Sequence, residues 1–180
     1  MENELSRLVK AASFAAGKHR FQTRKGAAAE PYINHPLEVA RILAEVGGVV
    51  DSDVLIAAIL HDTVEDTETT AEELTAEFGS RVREIVLEVT DDRSLPKSER
   101  KAKQIEHAPM LSLEAKLVKM ADKISNITDV AANPPHDWSR ERRLEYVEWG
   151  EKVVAGLRGT NAGLENHYDA LTSRAKAAIG

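Results

Sequence analysis

The chain of 180 residues has no cysteine, which excludes disulfides, thiolate nucleophiles and zinc sites built on sulfur. Any metal must therefore sit on His, Asp or Glu. No stretch approaches the ~18 consecutive apolar residues that a membrane span requires. The start, Met1-Glu2-Asn3-Glu4, is acidic where a secretory signal would be basic. These absences predict a cytoplasmic protein with no membrane partner. A positive balance is missing too: the formal net charge is −6, which argues against a general nucleic-acid binder, because backbone binding neutralises phosphates with a basic surface. There is no internal repeat, low-complexity tract, long linker or Gly-rich phosphate loop. At this length one self-sufficient core is expected, so residues 1–180 are read as a single domain. Nothing in the sequence reveals an oligomeric state.

Runs of strict alternation are hard to find, whereas apolar residues recur at helical spacing, as in Val39, Ile42, Leu43 and Val46, or Val82, Ile85, Val86 and Val89. The expected class is all-α, a bundle of roughly eight or nine helices. Gly47-Gly48 ends one helix and Asp51 or Ser52 opens the next. Thr70 with Glu73 forms a capping-box pattern, and Gly79 closes that short helix. Asn133-Pro134-Pro135 breaks the chain, Ser139 caps a helix running to about Leu157, and Gly159-Thr160-Asn161 separates it from a last helix. Two connections, Gly26 to Pro31 and Thr90 to Pro96, lie beside basic residues.

Against this background His61-Asp62-Thr63-Val64-Glu65-Asp66 stands out, directly after the apolar stretch Val54 to Leu60. Burying a carboxylate beside an imidazole is costly unless each finds a partner or a metal. On one continuous helix, His61 stacks over Glu65 and Asp62 over Asp66. If the doublet holds a cation, the two later carboxylates are close enough to act on a water there as base or acid. His35, before Pro36, and Asp122, which interrupts the apolar face of Leu117, Val118, Ala121 and Ile124, are further ligand candidates. Three short basic groups punctuate the acidic chain: Arg24-Lys25; Lys97, Arg100, Lys101 and Lys103; and Arg140, Arg142 and Arg143. They suit a compact polyanionic ligand better than a duplex, although each patch alone reads equally as a solvated helix face.

The series His35, His61-Asp62, Asp122 resembles the signature of the HD phosphohydrolase superfamily. Tyr32-Ile33-Asn34-His35-Pro36, Thr90-Asp91-Asp92, Lys119-Met120-Ala121-Asp122-Lys123 and Asn126 are similar to motifs of the guanosine tetraphosphate hydrolases, in the same order along essentially the whole chain. The pattern Trp138-Ser139, Arg142, Tyr146, Trp149 and Leu157-Arg158-Gly159-Thr160-Asn161 most resembles the small stand-alone hydrolases of the Mesh type, without the synthetase domain of the long RelA/SpoT proteins. The resemblance implies a manganese-dependent enzyme that removes pyrophosphate from the ribose 3′ position of ppGpp and pppGpp, giving GDP or GTP, by means of a metal-activated water. His35, His61, Asp62 and Asp122 would hold one Mn2+, and Glu65 and Asp66 would be the catalytic carboxylates. Arg24, Lys25, Asn126, Lys97, Lys101, Arg142 and Tyr146 would contact the substrate.

The resemblance leaves two alternatives. One is removal of the 2′-phosphate of NADPH, or of a phosphate from another nucleotide, by the same site, and the other is a degenerate module that binds the alarmone without cleaving it. His19, His107, His136 and His167 match no ligand position and are expected to be surface or packing residues. Thr128 stands where the family commonly has arginine, a departure that could alter substrate preference. The loop Gly26-Ala27-Ala28-Ala29-Glu30 is less polar than usual, which bears on where Lys25 points.

Overall fold

In the computed structural model, residues 3–180 are described; Met1 and Glu2, which begin the acidic start noted above, lie outside the described residues. Among the described residues there are no strands. Helices run over α1 Glu4–Lys18, α2 Asn34–Glu45, α3 Ser52–Leu60, α4 Thr63–Asp66, α5 Ala71–Phe78, α6 Ser80–Val89, α7 Lys97–His107, α8 Leu113–Ala132, α9 Arg140–Ala155 and α10 Ala162–Ile179. Since α4 is a single turn, the helices of two turns or more match the expected count.

The helix starts follow the predicted caps, because a short polar side chain can satisfy an orphan backbone N–H. Asp51 accepts from the Asp53 amide, Thr70 from Glu73 and Ser139 from Arg142, and Asn161, expected only as part of a break, caps α10 by accepting from Leu164. At Gly79 the backbone turns with φ +92°, a conformation that a side chain would strain.

Helix α3 is apolar on nearly every side, since it packs against α1, α2, α6 and α8. The long α8 meets α2, α3, α6, α9 and α10. Leu60, Ile56, Val118, Met120, Ile124 and Ile127 are fully buried in the resulting core. Three polar elements are thereby brought together from distant parts of the chain: the start of α2, the end of α3 and the middle of α8.

The single helix expected through His61 to Asp66 is not formed. Helix α3 stops at Leu60, His61 and Asp62 make a turn, and α4 begins anew at Thr63. Two side chains take over carbonyls that a continuing helix would use: Thr63 Oγ1 donates to Leu60 O at 2.6 Å, and His61 Nδ1 donates to Ala58 O at 2.7 Å. Asp62 sits at φ −96°, ψ −4°, so the chain changes direction at the doublet itself.

Helix α7 differs from the others in burying no residue. It is fastened at its inner face, where Trp149 Nε1 donates to Lys101 O at 3.1 Å and Gln104 Nε2 donates to Asp91 Oδ2 at 2.6 Å.

Candidate active site and metal centre

His35 Nε2, His61 Nε2, Asp62 Oδ2 and Asp122 Oδ1 converge. His35 Nε2 lies 3.2 Å from the Asp122 oxygen and 3.6 Å from that of Asp62. His61 Nε2 lies 3.7 Å and 3.2 Å from the same two atoms. Donors bound about 2.1 Å from one ion are themselves separated by about 3 to 3.5 Å, so this spacing suits a shared cation. His61 supports the same conclusion through its tautomer. Its Nδ1 carries the hydrogen given to Ala58 O, so the proton this imidazole can lose is the one on Nε2, and losing it bares a lone pair toward the two carboxylates. That nitrogen is buried without a hydrogen-bond partner, because its approach to Asp62 lacks the alignment of a hydrogen bond. His35 Nδ1 is likewise engaged, 3.0 Å from Ser125 Oγ.

The electrostatics fit a divalent ion. Burial opposes charging of His61, but the adjacent Asp62 and Asp122 outweigh it and hold this imidazole up at about 10. Burial pushes His35 below its ordinary value. Burial also disfavours both carboxylates, yet His61 keeps Asp62 ionised, and Lys123 with the histidines keeps Asp122 well below the usual range. A divalent cation would displace the His61 proton and leave two neutral imidazoles beside two carboxylates, a set whose charge of −2 it balances.

Glu65 and Asp66 stand at the mouth of this cluster, and they are held differently. Glu65 Oε2 accepts from the Asp91 amide at 3.1 Å, with the guanidiniums of Arg93 and Arg100 each 3.5 Å from Oε1. Burial raises its pKa despite them. Asp66 lies against Arg93 and, on its other side, 3.1 Å from the Tyr32 hydroxyl. That hydroxyl is also 2.6 Å from Asp62 Oδ2. Burial, then Asp62, raises the Tyr32 pKa, so the hydroxyl stays a donor.

A chamber of about 280 Å3 surrounds the donor cluster and opens into a cleft of about 550 Å3. Every residue expected at the site lines one or the other. Lys97, Lys101 and Arg142 are confined to the outer cleft, whereas Arg24, Lys25, Asn126 and Tyr146 line both parts. The loop that carries Lys25 is seated by the next residue: a Cβ on Gly26 would come within 2.5 Å of Asn133 O, so only glycine lets the loop sit against the end of α8. Two of the expected contacts are already engaged within the protein. Arg24 donates to Asp129 Oδ2 at 2.6 Å and to Asn126 Oδ1 at 2.9 Å, and Asn126 Nδ2 donates onward to Asp122 Oδ1 at 2.6 Å. The basic groups separate: Arg100 joins the cleft, while Lys103, Arg140 and Arg143 do not line it.

The remaining histidines keep their packing and surface roles. His19 is buried against the Tyr32 ring, 4.8 Å between centroids, with Nδ1 bonded to Gln22, and His107 and His136 are exposed. Thr128 lies outside both parts of the cleft, with its hydroxyl bonded to Ile124 O in its own helix.

Sequence reasoning missed Tyr32, Asp91, Lys123, Arg93 and Arg100 as members of the site. The first three fall inside motifs that were legible. Lys123 Nζ is buried 3.0 Å from Asp122 Oδ2 and 4.7 Å from the Trp149 ring centre. Arg100 belongs to a basic group that the sequence singled out, but nothing local marks Arg93 or the approach of either arginine to Glu65, which depends on how α7 and the connection before it fold back.

An HD-domain family model matches residues 11–148. The chain is 55% identical over 169 residues to the guanosine-3′,5′-bis(diphosphate) 3′-pyrophosphohydrolase MESH1 of Xenopus tropicalis, covering 94% of each. It is 54% identical to the human protein of the same name, covering 92% of each. Among solved structures it is similar, with a TM-score of 0.91 and 46% identity over 94% of this chain and 95% of the other, to a metazoan SpoT orthologue that hydrolyses ppGpp.

Proposed function

The chain belongs to the HD-domain family, among relatives that are guanosine-3′,5′-bis(diphosphate) 3′-pyrophosphohydrolases, and we propose that it carries out the same reaction. The substrate is ppGpp or pppGpp, and the products are GDP or GTP with pyrophosphate. One observation carries this reading: a buried donor set of two histidines and two aspartates, flanked by two further carboxylates, opens into a cleft rimmed by cations. The alternative of a degenerate binding module loses force because no donor or carboxylate of the set is lacking.

We assign His35, His61, Asp62 and Asp122 to a divalent cation. The nitrogen and oxygen donors, with no soft ligand, favour Mn2+, although affinity alone would admit zinc, iron or cobalt. When bound, such an ion supplies a more acidic water and polarises a phosphate oxygen. The protein contributes the proton handling and the positioning. Hydrolysis breaks the bond between the ribose 3′ oxygen and phosphorus: one proton leaves the attacking water and one must reach the leaving oxygen. Glu65 and Asp66, at the mouth of the donor cluster, are the groups placed for those transfers. The raised pKa of Glu65 lets it carry a proton closer to neutrality than an ordinary glutamate.

Lys25, Lys97, Lys101 and Arg142 face the phosphates as charge and fork donors, and Tyr146 bounds the same space. Cations gathered in one cleft of an acidic protein favour a small polyanion over nucleic acid. No helix among the described residues is long and apolar enough to cross a membrane, and a cytoplasmic location accords with a chain free of cysteine. Beyond the matched span, α10 packs on α8 and α9, so residues 1–180 are treated as one domain.

The test is turnover of ppGpp by the purified protein with Mn2+, following pyrophosphate and phosphate separately, with NADPH in parallel. Pyrophosphate and GDP from ppGpp are expected. Phosphate release from NADPH alone would reassign the substrate, and no release from either would leave only binding.

A further inference from the structure

Tyr32 enters neither the donor set nor the cation rim, yet its hydroxyl lies between the two. It is 2.6 Å from Asp62 Oδ2, the oxygen that faces both imidazoles, and 3.1 Å from Asp66 Oδ2. A phenol has one hydrogen to give, so the two carboxylates share a single donor. The ring is held on several sides: His19 lies 4.8 Å away, His35 meets it edge-on at 6.0 Å, and the Arg24 guanidinium is 5.8 Å from its centre. The backbone is pinned as well, with Tyr32 N–H donating to Gln22 O at 2.9 Å. Gln22 closes a second route to the same place, since its Nε2 donates to Asp66 O at 2.8 Å. Asp66 is therefore fixed through both its main chain and its side chain by the segment that carries Tyr32. Glu65 has no such link; its support comes from the Asp91 amide, on the connection before α7.

We propose that Tyr32 is a positioning residue that binds Asp66 and Asp62 into one hydrogen-bonded unit, setting the proton-transfer carboxylate at a fixed place beside the metal seat. Tyr32 touches neither the ion nor the substrate in this scheme. Its effect is on where Asp66 stands, and a misplacement of about 1 Å costs up to about 100-fold in rate. The proposal rests on the assignment of Asp66 to proton transfer given above.

The experiment compares Tyr32→Phe with the wild type for ppGpp hydrolysis and for Mn2+ binding by calorimetry. The substitution removes one oxygen and keeps the ring packing. A fall in kcat of about 10- to 100-fold is expected, with KM and Mn2+ affinity within about threefold of wild type. Unchanged kcat would overturn the proposal. So would a rise in KM alone, which marks a substrate contact, or a loss of kcat fully restored by saturating Mn2+, which marks a role confined to the metal seat.

A second measurement needs no Tyr32 variant and no turnover. The proton of this buried hydroxyl, observed by NMR in the metal-free protein, should shift when Asp66 is replaced by alanine, and an unmoved resonance would mean that the hydroxyl belongs to Asp62 alone. If the wild type did not cleave ppGpp, the functional reading would fail, while the resonance and the Mn2+ titration would still decide whether Tyr32 couples the two carboxylates.

Discussion

Asn126 gives its side-chain NH2 to Asp122, with Nδ2 2.6 Å from Oδ1, and that oxygen is the one lying 3.2 Å from His35 Nε2. The amide cannot rotate freely, because Arg24 donates to its carbonyl oxygen from the other side at 2.9 Å. A residue expected to meet the nucleotide therefore also orients a carboxylate assigned to the metal. Loss of an outer partner of this kind typically costs about 10- to 100-fold in metal affinity. Asn126→Ala is expected to weaken Mn2+ binding by that factor, and Asp122→Ala to abolish it, both read by calorimetry. Saturating the wild type at one hundred times Kd should stabilise it by about 2.7 kcal/mol, seen as a rise in Tm that chelation reverses.

Glu65→Gln and Asp66→Asn should each lower kcat for ppGpp by about 100- to 10,000-fold, the range of general acid-base contributions. Neither side chain belongs to the donor set, so Mn2+ should still bind. Retained activity in either variant, with metal bound, would remove that carboxylate from the chemistry.

Lys97, Lys101 and Arg142 are partly exposed at the outer cleft, and Lys101 sits 4.6 Å from the Trp149 ring centre. Alanine at Lys97 or Arg142 removes a charge-assisted contact worth about 1.5 to 3 kcal/mol. The expected result is a KM for ppGpp raised about 10- to 150-fold with a smaller change in kcat. The difference should shrink as ionic strength rises, because the exposed charges are then screened. An equal loss at high salt would point to altered folding of α7 or α9.

Away from the site, Arg81 donates to both oxygens of Asp51, at 3.0 and 2.7 Å, and to Glu114 at 3.3 Å, tying the cap of α3 to α6 and α8. Its hydrogen bonds hold the Asp51 carboxyl below the ordinary carboxylate value. A depressed folded-state pKa gives stability that is present above the unfolded value, near 3.8, and is lost as pH falls through the folded one. Both groups are over a third exposed, so the contribution is about 1 kcal/mol or less. Melting curves between pH 6 and pH 2 should fall more steeply for the wild type than for Arg81→Met, and coincident slopes would show that the network contributes nothing.

What the sequence determined by itself is whatever depends on near neighbours or on side-chain chemistry. A cap such as Asp51, Thr70 or Ser139 bonds to an amide two or three residues away, so its effect is written locally. The apolar periodicities named the buried faces of α2 and α6 because a helix repeats its faces every 3.6 residues. His61 and Asp62 stood out because ionisable groups at the end of an apolar stretch require partners, and His35 and Asp122 joined them as ligands through the resemblance to the HD signature. Tertiary structure decided the rest. The break after Leu60 arises from two side chains capturing carbonyls, a competition that helical spacing does not register. Arg24 meets Asp129 across 105 residues, and Tyr32 meets Asp62 across 30, contacts made only when the start of α2 is packed beside α3 and α8. The same packing chose Arg100 for the cleft and left Arg140 and Arg143 outside it, because residues alike in sequence end on different sides of their helices. Composition limited the donors to His, Asp and Glu and the motifs named them; the arrangement of three helix segments around one buried point brought them together.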